Sequence, residues 1–336
     1  MYFSGSNGND ILKLKAKLTH IALLIILVLV TFSEAKAQQA PIFTNYTNSY
    51  AYVNAGYAGM SQGINLLGLY RQQWAGFVDS DNNDIAPQTF LLTGDVPIKV
   101  LHGGLALSIM NDKIGGVEND INVGLGYSFH IDLGGSSLGI GLAGTLLNRS
   151  VDFASLKPNN ESDPLLQGLG DESDMLFDFN VGLFWQMPES FYVGVSCVNV
   201  LETMGKALGE NETSSASFIT DRTFYLVTGY PFSFEDLPYF TFIPSVGVMS
   251  DIASTQFNVS AKVNFKDAFT FGVNYRPQES IGLLVGLTIK DLTIGYSYDV
   301  NTMKLGLPGS HEVALSYCFK LDLDKTPRDY RSIRYL

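Results

Sequence analysis

Charge is scarce in these 336 residues: Asp, Glu, Lys and Arg together make up 16%, and the 33 acidic residues outnumber the 21 basic ones. A net charge of −12 gives a polyanion nothing to hold, so no nucleic-acid partner is expected. Cysteine is nearly missing. Cys197 and Cys318 lie far apart in sequence, which reads as two buried thiols rather than a stabilising bridge. Histidine is almost as rare, with His102, His130 and His311 widely separated after the first segment. No H-E-x-x-H, C-x-x-C, G-x-S-x-G or P-loop string occurs. Metal and nucleophile sites need several convergent ligands or an orienting third group, so no cofactor and no catalysis are expected. Also missing after residue 37 is any apolar run approaching the ~20 residues of a membrane-crossing helix.

What is present is apolar. Gly numbers 33, aromatics reach 12%, and mean hydropathy is +0.13, high for a chain that must stay soluble in water. Lys13, Lys15 and Lys17 precede the apolar run 21–32, and Ala35-Lys36-Ala37 has the small-x-small form that signal peptidase cuts. Residues 1–37 are therefore expected to be a secretory signal, with cleavage between Ala37 and Gln38. A membrane anchor is the alternative, but it needs a longer core. Losing Lys13, Lys15, Lys17 and Lys36 with Asp10 and Glu34 moves the charge from −12 to −14. An exported, apolar chain without a spanning helix can live in a bilayer only as a closed barrel, where every backbone group is bonded without water.

The residue pattern has the period of a strand. Ile121, Val123, Leu125, Tyr127, Phe129 and Ile131 share one face, with Asn122, Gly124, Gly126, Ser128 and His130 on the other. The string "GIGLAG" at 139–144 satisfies the dinucleotide pattern G-x-G-x-x-G, yet Leu138, Ile140 and Leu142 alternate with Gly139, Gly141 and Ala143. A nucleotide fingerprint needs a strand ending at the first glycine and a helix opening after it, and no helical period follows. Some fourteen such segments recur, from 63–74 to 292–298 and 310–319. The expected fold is all-β, a transmembrane antiparallel β-barrel of about 14 strands over residues 62–319. Residues 38–61 are expected to be a periplasmic or lumen-lining segment, and 320–336 a periplasmic tail. A soluble β-sandwich is the alternative. Low charge, the signal and aromatics near strand ends favour the barrel.

Connection lengths agree in tendency. The even ones include 132–136, 187–190, 266–268 and 290–291, short as periplasmic turns are; the odd ones include 75–87, 152–173, 201–221 and 299–309, long as outside loops are. Exceptions are the short odd connections 251–255 and 277–279 and the longer even one at 231–239. Asp178, Lys262, Arg276 and Glu312 carry the parity of the polar face, placed to pair across a lumen or to set the charge of a pore. "DSDNND", with Asp79, Asp81 and Asp84, lacks the Gly and distal Glu of a calcium loop and reads as a solvated acidic loop.

Three stretches carry a resemblance: 40–60, "APIFTNYTNSYAYVNAGYAGM"; 70–77, "YRQQWAGF"; and 309–319, "GSHEVALSYCF". Together they resemble the PorP/SprF family of the Bacteroidetes type IX secretion system. Asn54, Tyr57 and Gly59 match its N-P-A-Y-A-G string, although Ala55 and Gly56 replace the Pro-Ala pair. Arg71, Gln73, Trp74 and Gly76 match R-x-Q-W-x-G, and His311 and Glu312 match the closing strand. The resemblance implies a bacterial outer-membrane barrel in contact with the lipid bilayer. As partners it implies the periplasmic ring or motor-linked components of secretion and gliding motility, or the C-terminal domain of a secreted adhesin or other cargo. Arg71 is expected to reach an acidic or carbonyl partner, with Trp74 at the membrane interface. A passive channel or FadL-like transporter of small or apolar molecules is the alternative function. A barrel-embedded hydrolase is a third, with His130 or His311 as its base.

Overall fold

A computed structural model of the chain describes residues 41–61, 63–153, 170–187, 190–207, 217–303 and 306–320. Ala37, Gln38 and the tail from 321 onward, with the readings placed on them, lie outside the described residues.

Seventeen strands are described: β1 (Gly63–Gln72), β2 (Gln88–Ile98), β3 (Gly103–Ile114), β4 (Glu118–Asp132), β5 (Ser137–Asp152), β6 (Asp171–Gln186), β7 (Tyr192–Val198), β8 (Met204–Ala207), β9 (Ser217–Ile219), β10 (Thr223–Gly229), β11 (Phe232–Ser233), β12 (Phe240–Ser250), β13 (Thr255–Phe265), β14 (Phe269–Arg276), β15 (Ser280–Ile289), β16 (Leu292–Asn301) and β17 (Ser310–Lys320). Fifteen of them form one antiparallel sheet: fourteen make a wall that closes where β1 pairs with β17 and β10 with β12, and the two-residue β11 is added on β12. Closure removes the edges that would otherwise present unbonded backbone to lipid. The chain is a 14-strand β-barrel.

The period of two decides which residues face where. On β5 and β6 the outward Ile140, Leu142, Leu146, Phe177 and Leu183 are exposed, while the inward Thr145, Leu147, Leu176, Asp178 and Phe184 are buried. Lipid would cover the first set. The glycines of "GIGLAG" lie inside β5, paired to β4 through Gly139↔His130 and Gly141↔Ser128. The strand continues past them to Asp152.

Both ends of the sheet, Gly63 and Lys320, are paired at the end of the barrel that carries the short turns 133–136, 266–268 and 290–291. The opposite end carries 73–87, 199–222 and 302–309. Two details differ from the sequence reading. Strand β16 runs on to Asn301 instead of stopping near 298, because Ser297 and Asp299 continue its inward parity and Asp299 finds Thr44, Arg71 and Arg276 there. The loop 199–222 folds its own hairpin, β8 with β9, over the mouth: Gly205 sits against the inward side chains of Asp174 and Leu176, and Phe218 packs on Leu147 and Leu176.

Candidate functional site

The lumen is occupied by the chain itself. Residues 41–61 form two 3-10 turns and one short helix, α1 (Tyr50–Val53), and climb the inside of the wall. At the short-turn end Ser61 donates to Asp95 at 2.7 Å and Gln186 donates to the Met60 carbonyl at 3.0 Å. Midway, Ser128 donates to the Gly56 carbonyl at 2.9 Å and Ser196 to that of Val53 at 2.6 Å. Towards the long-loop end, Thr44 and Asn45 donate their backbone N–H groups to Glu312, each at 2.8 Å. A segment with so little regular structure leaves most of its backbone groups unpaired internally, and the lumen face supplies the partners.

Apolar packing fixes it as well. Phe43 is buried with Leu67, Leu69, Leu91 and Met110, and Tyr50 with Phe184 and Val227. Each such side chain contributes about 1.5–3 kcal/mol when fully buried. Tyr57 stands edge-on to Phe184 at 4.9 Å between ring centres. Tyr46 donates its hydroxyl to Ser245 at 2.9 Å.

Close approach explains the glycines. A Cβ on Gly141 would overlap the Ala55 carbonyl, and one on Gly139 the Gly56 carbonyl. Gly59, at φ +69°, meets Gly104 of β3 in the same way. Asn54 holds the turn between them: its side-chain oxygen accepts from Gly56 N–H at 2.8 Å and its amide donates to the Leu183 carbonyl at 3.0 Å.

The long-loop end of the segment is held by a buried charge cluster from four strands, β1, β14, β16 and β17. Register sets it up: Arg71 on β1 lies opposite Glu312 on β17, and Asp299 on β16 lies opposite Ser310. Arg71 Nη1 is 2.8 Å from Asp299 and 3.4 Å from Glu312; Arg276 Nη2 is 2.5 Å from Asp299. Arg276 also meets Glu279 at 3.0 Å and accepts no water-facing role, being 0% exposed, while Arg71, Asp299 and Glu312 are at most 3% exposed. Thr44 Oγ1 donates to Asp299 at 2.7 Å, so the segment is bonded to both carboxylates. Buried ions survive only when paired and hydrogen-bonded, and here each carboxylate has both.

The other residues singled out in the sequence fall in distinct places. Gln73 and Trp74 line a small recess over this cluster. Trp74, at φ +53°, donates its N–H to Ser310 Oγ at 3.1 Å, while Gln73 N–H reaches the Pro87 carbonyl at 2.8 Å. Gly76 has φ +88° in the turn that follows. The R-x-Q-W-x-G string thus joins the cluster to two loops. His311 points outward, bonded to the Tyr296 hydroxyl at 2.8 Å. Lys262 is bonded to Thr47 of the lumen segment. Asp178 stands apart from these charges and gathers the 199–222 loop, accepting from the N–H of Leu201 at 2.8 Å and from Thr220 Oγ1 at 2.8 Å. Sequence reasoning missed Asp299, Thr44 and Asn45; the inward parity of Asp299 beside Ser297 was the available signal. Asp79 folds its own turn by accepting from the N–H groups of Asp81 and Asn83. Among the described residues no group of three or more His, Cys, Asp or Glu is placed to hold a metal ion.

Comparison with known proteins agrees with this architecture. The model of a family described as "Type IX secretion system membrane protein PorP/SprF" matches residues 35–317. A search of curated protein sequences gave no match. Among solved structures, the Ralstonia pickettii toluene transporter TbuX is similar in fold, with a TM-score of 0.51 and 11% identity over 81% of this chain and 93% of that one. A Pseudomonas aeruginosa FadL homologue gives 0.45 and 11%, covering 81% and 94%. The Acinetobacter baumannii outer membrane protein Omp33 gives 0.43 and 6%, covering 78% and 100%.

Proposed function

We propose, from the premise that the chain belongs to the PorP/SprF family of type IX secretion system membrane proteins, that it serves secretion as a plugged anchoring barrel and not as a solute channel. An outer-membrane component of that system is what the family establishes; the anchoring role is our reading. The observation that carries it is the filled lumen, in which residues 41–61 are bonded to the wall from Asp95 at one end to Glu312 at the other. A pore that passes solute needs an unobstructed polar path. With the long loops outside, as in other outer-membrane barrels, secreted cargo such as an adhesin's C-terminal domain would meet the β8–β9 mouth. Ring or motor-linked components would meet the short turns.

The test is affinity purification of the tagged protein from native outer membranes, followed by mass spectrometry. Recovery of type IX components or of a secreted protein's C-terminal domain supports the reading and identifies the branch. A barrel recovered without either, and conducting solute in liposomes, moves the assignment to the alternative, a passive channel or FadL-like transporter. The likeness to the toluene transporter TbuX favours that alternative through fold alone.

A further inference from the structure

The lumen segment has a direction along the barrel, and its carboxyl-terminal end is at the short turns. Ser61 is bonded to Asp95 there, and Gln186, the last residue of β6, donates to the Met60 carbonyl. Its amino-terminal end is at the long loops. The backbone N–H groups of Thr44 and Asn45 donate to Glu312, and Asn258 donates to the Phe43 carbonyl at 3.5 Å. Register gives the height between these ties. Asp95 and Cys318 both lie opposite Asn65, and Glu312 stands six residues further along β17, ~20 Å of strand. Pro41 lies beyond Phe43 and borders a space shared with Met249 and Gln256, each one residue from the long-loop end of its strand. Pro41 and Ile42 are half-buried, so this end of the segment still meets solvent.

We propose that the chain passes through its own barrel, so that the polypeptide on the amino-terminal side of Pro41 emerges at the cell surface while Lys320 ends the sheet on the periplasmic side. Signal cleavage between Ala37 and Gln38 puts the mature amino terminus three residues from Pro41. Three residues span at most ~10 Å, about half of the ~20 Å of strand between the two ties, so that end has no reach back to the short turns. The surface offered to a secreted partner then includes a chain end as well as loops. This rests on the reading that sets the long loops at the cell surface.

The test uses the full chain with Cys197→Ser and Cys318→Ser, carrying one new cysteine at a time. Pro41→Cys reports on the segment, Ile252→Cys on the long-loop turn 251–254, and Val100→Cys on the short turn 99–102; Ile252 and Val100 are 75% and 87% exposed. Cells are treated with a maleimide on a polymer too large for porins, before and after the outer membrane is permeabilised, and labelling is read as a gel shift. Heat-modifiable mobility confirms the folded barrel. The expected result is label at Pro41→Cys and Ile252→Cys in intact cells, and at Val100→Cys only after permeabilisation. Label at Val100→Cys and not at Ile252→Cys in intact cells overturns the sidedness and the passage together. Label at Ile252→Cys in intact cells, with Pro41→Cys reached only after permeabilisation, overturns the passage and leaves the sidedness standing. A second variant, with an epitope between Gln39 and Ala40, decides the case in which Pro41→Cys is shielded from the reagent throughout. Antibody bound to intact cells supports the passage, and antibody bound only after permeabilisation overturns it.

Discussion

Arg71 faces two carboxylates and a threonine in a space with almost no solvent, and its value lies in what its loss would leave behind. Arg71→Ala strands part of the charge of Asp299 and Glu312, both at most 2% exposed. Removing one member of a buried ion pair costs about 3–5 kcal/mol, because the remaining charge is unpaired in a medium of low dielectric constant. The variant is expected to shift the urea midpoint of the barrel's heat-modifiable band downward by that free energy. Arg71→Lys should recover only part of it, since an ammonium brings charge without the planar fork that reaches Asp299 and Glu312 together. An unchanged midpoint for Arg71→Ala would mean that Arg276 alone neutralises the site. The sequence exposed Arg71, Arg276 and Glu312 through motif and parity. Asp299 is less legible because it stands where the loop 299–309 is expected to begin; its parity with Ser297 is the local hint, and the register of β16 against β17 places it inward.

Single elements show where such legibility ends. The period of two placed Gly139 and Gly141 in a strand and removed the nucleotide reading, yet it gave no reason for glycine there. The reason is a contact with Ala55 and Gly56, more than eighty positions away, and no local pattern encodes a partner at that distance. The same holds for the lumen segment, whose Tyr, Asn and Gly content fits a plug, a lining or a free periplasmic end. Gly141→Val separates the two roles of this position. Valine suits a strand, so the barrel is expected to form with normal heat-modifiability. Its side chain occupies the place of the Ala55 carbonyl, so the segment 41–61 should become cleavable by added protease where the native chain resists. Resistance in the variant would show that the wall yields by moving β5.

For the molecule as a whole, the consequence concerns conduction. The fold class, the number of wall strands and the sidedness of short and long connections follow from alternation and turn chemistry, which are local. Whether the cylinder is open depends on where twenty residues outside the strands come to rest. The native barrel in a planar bilayer is expected to be electrically silent, since the segment bridges Asp95 to Glu312 and buries Phe43, Tyr50 and Tyr57 in the lumen. Deleting residues 41–60 uncovers a polar wall. Its buried ionisable groups comprise the carboxylates Asp95, Asp112, Asp120, Asp178, Asp299 and Glu312 against the cations Arg71, Lys262 and Arg276. A wall with that excess favours cations. The deleted barrel should therefore show discrete conductance steps, with a reversal potential in a potassium chloride gradient displaced toward that of potassium. Steps of equal size in the native and deleted barrels would mean that the segment lines the lumen without sealing it, and the anchoring role would then lose the observation on which it rests.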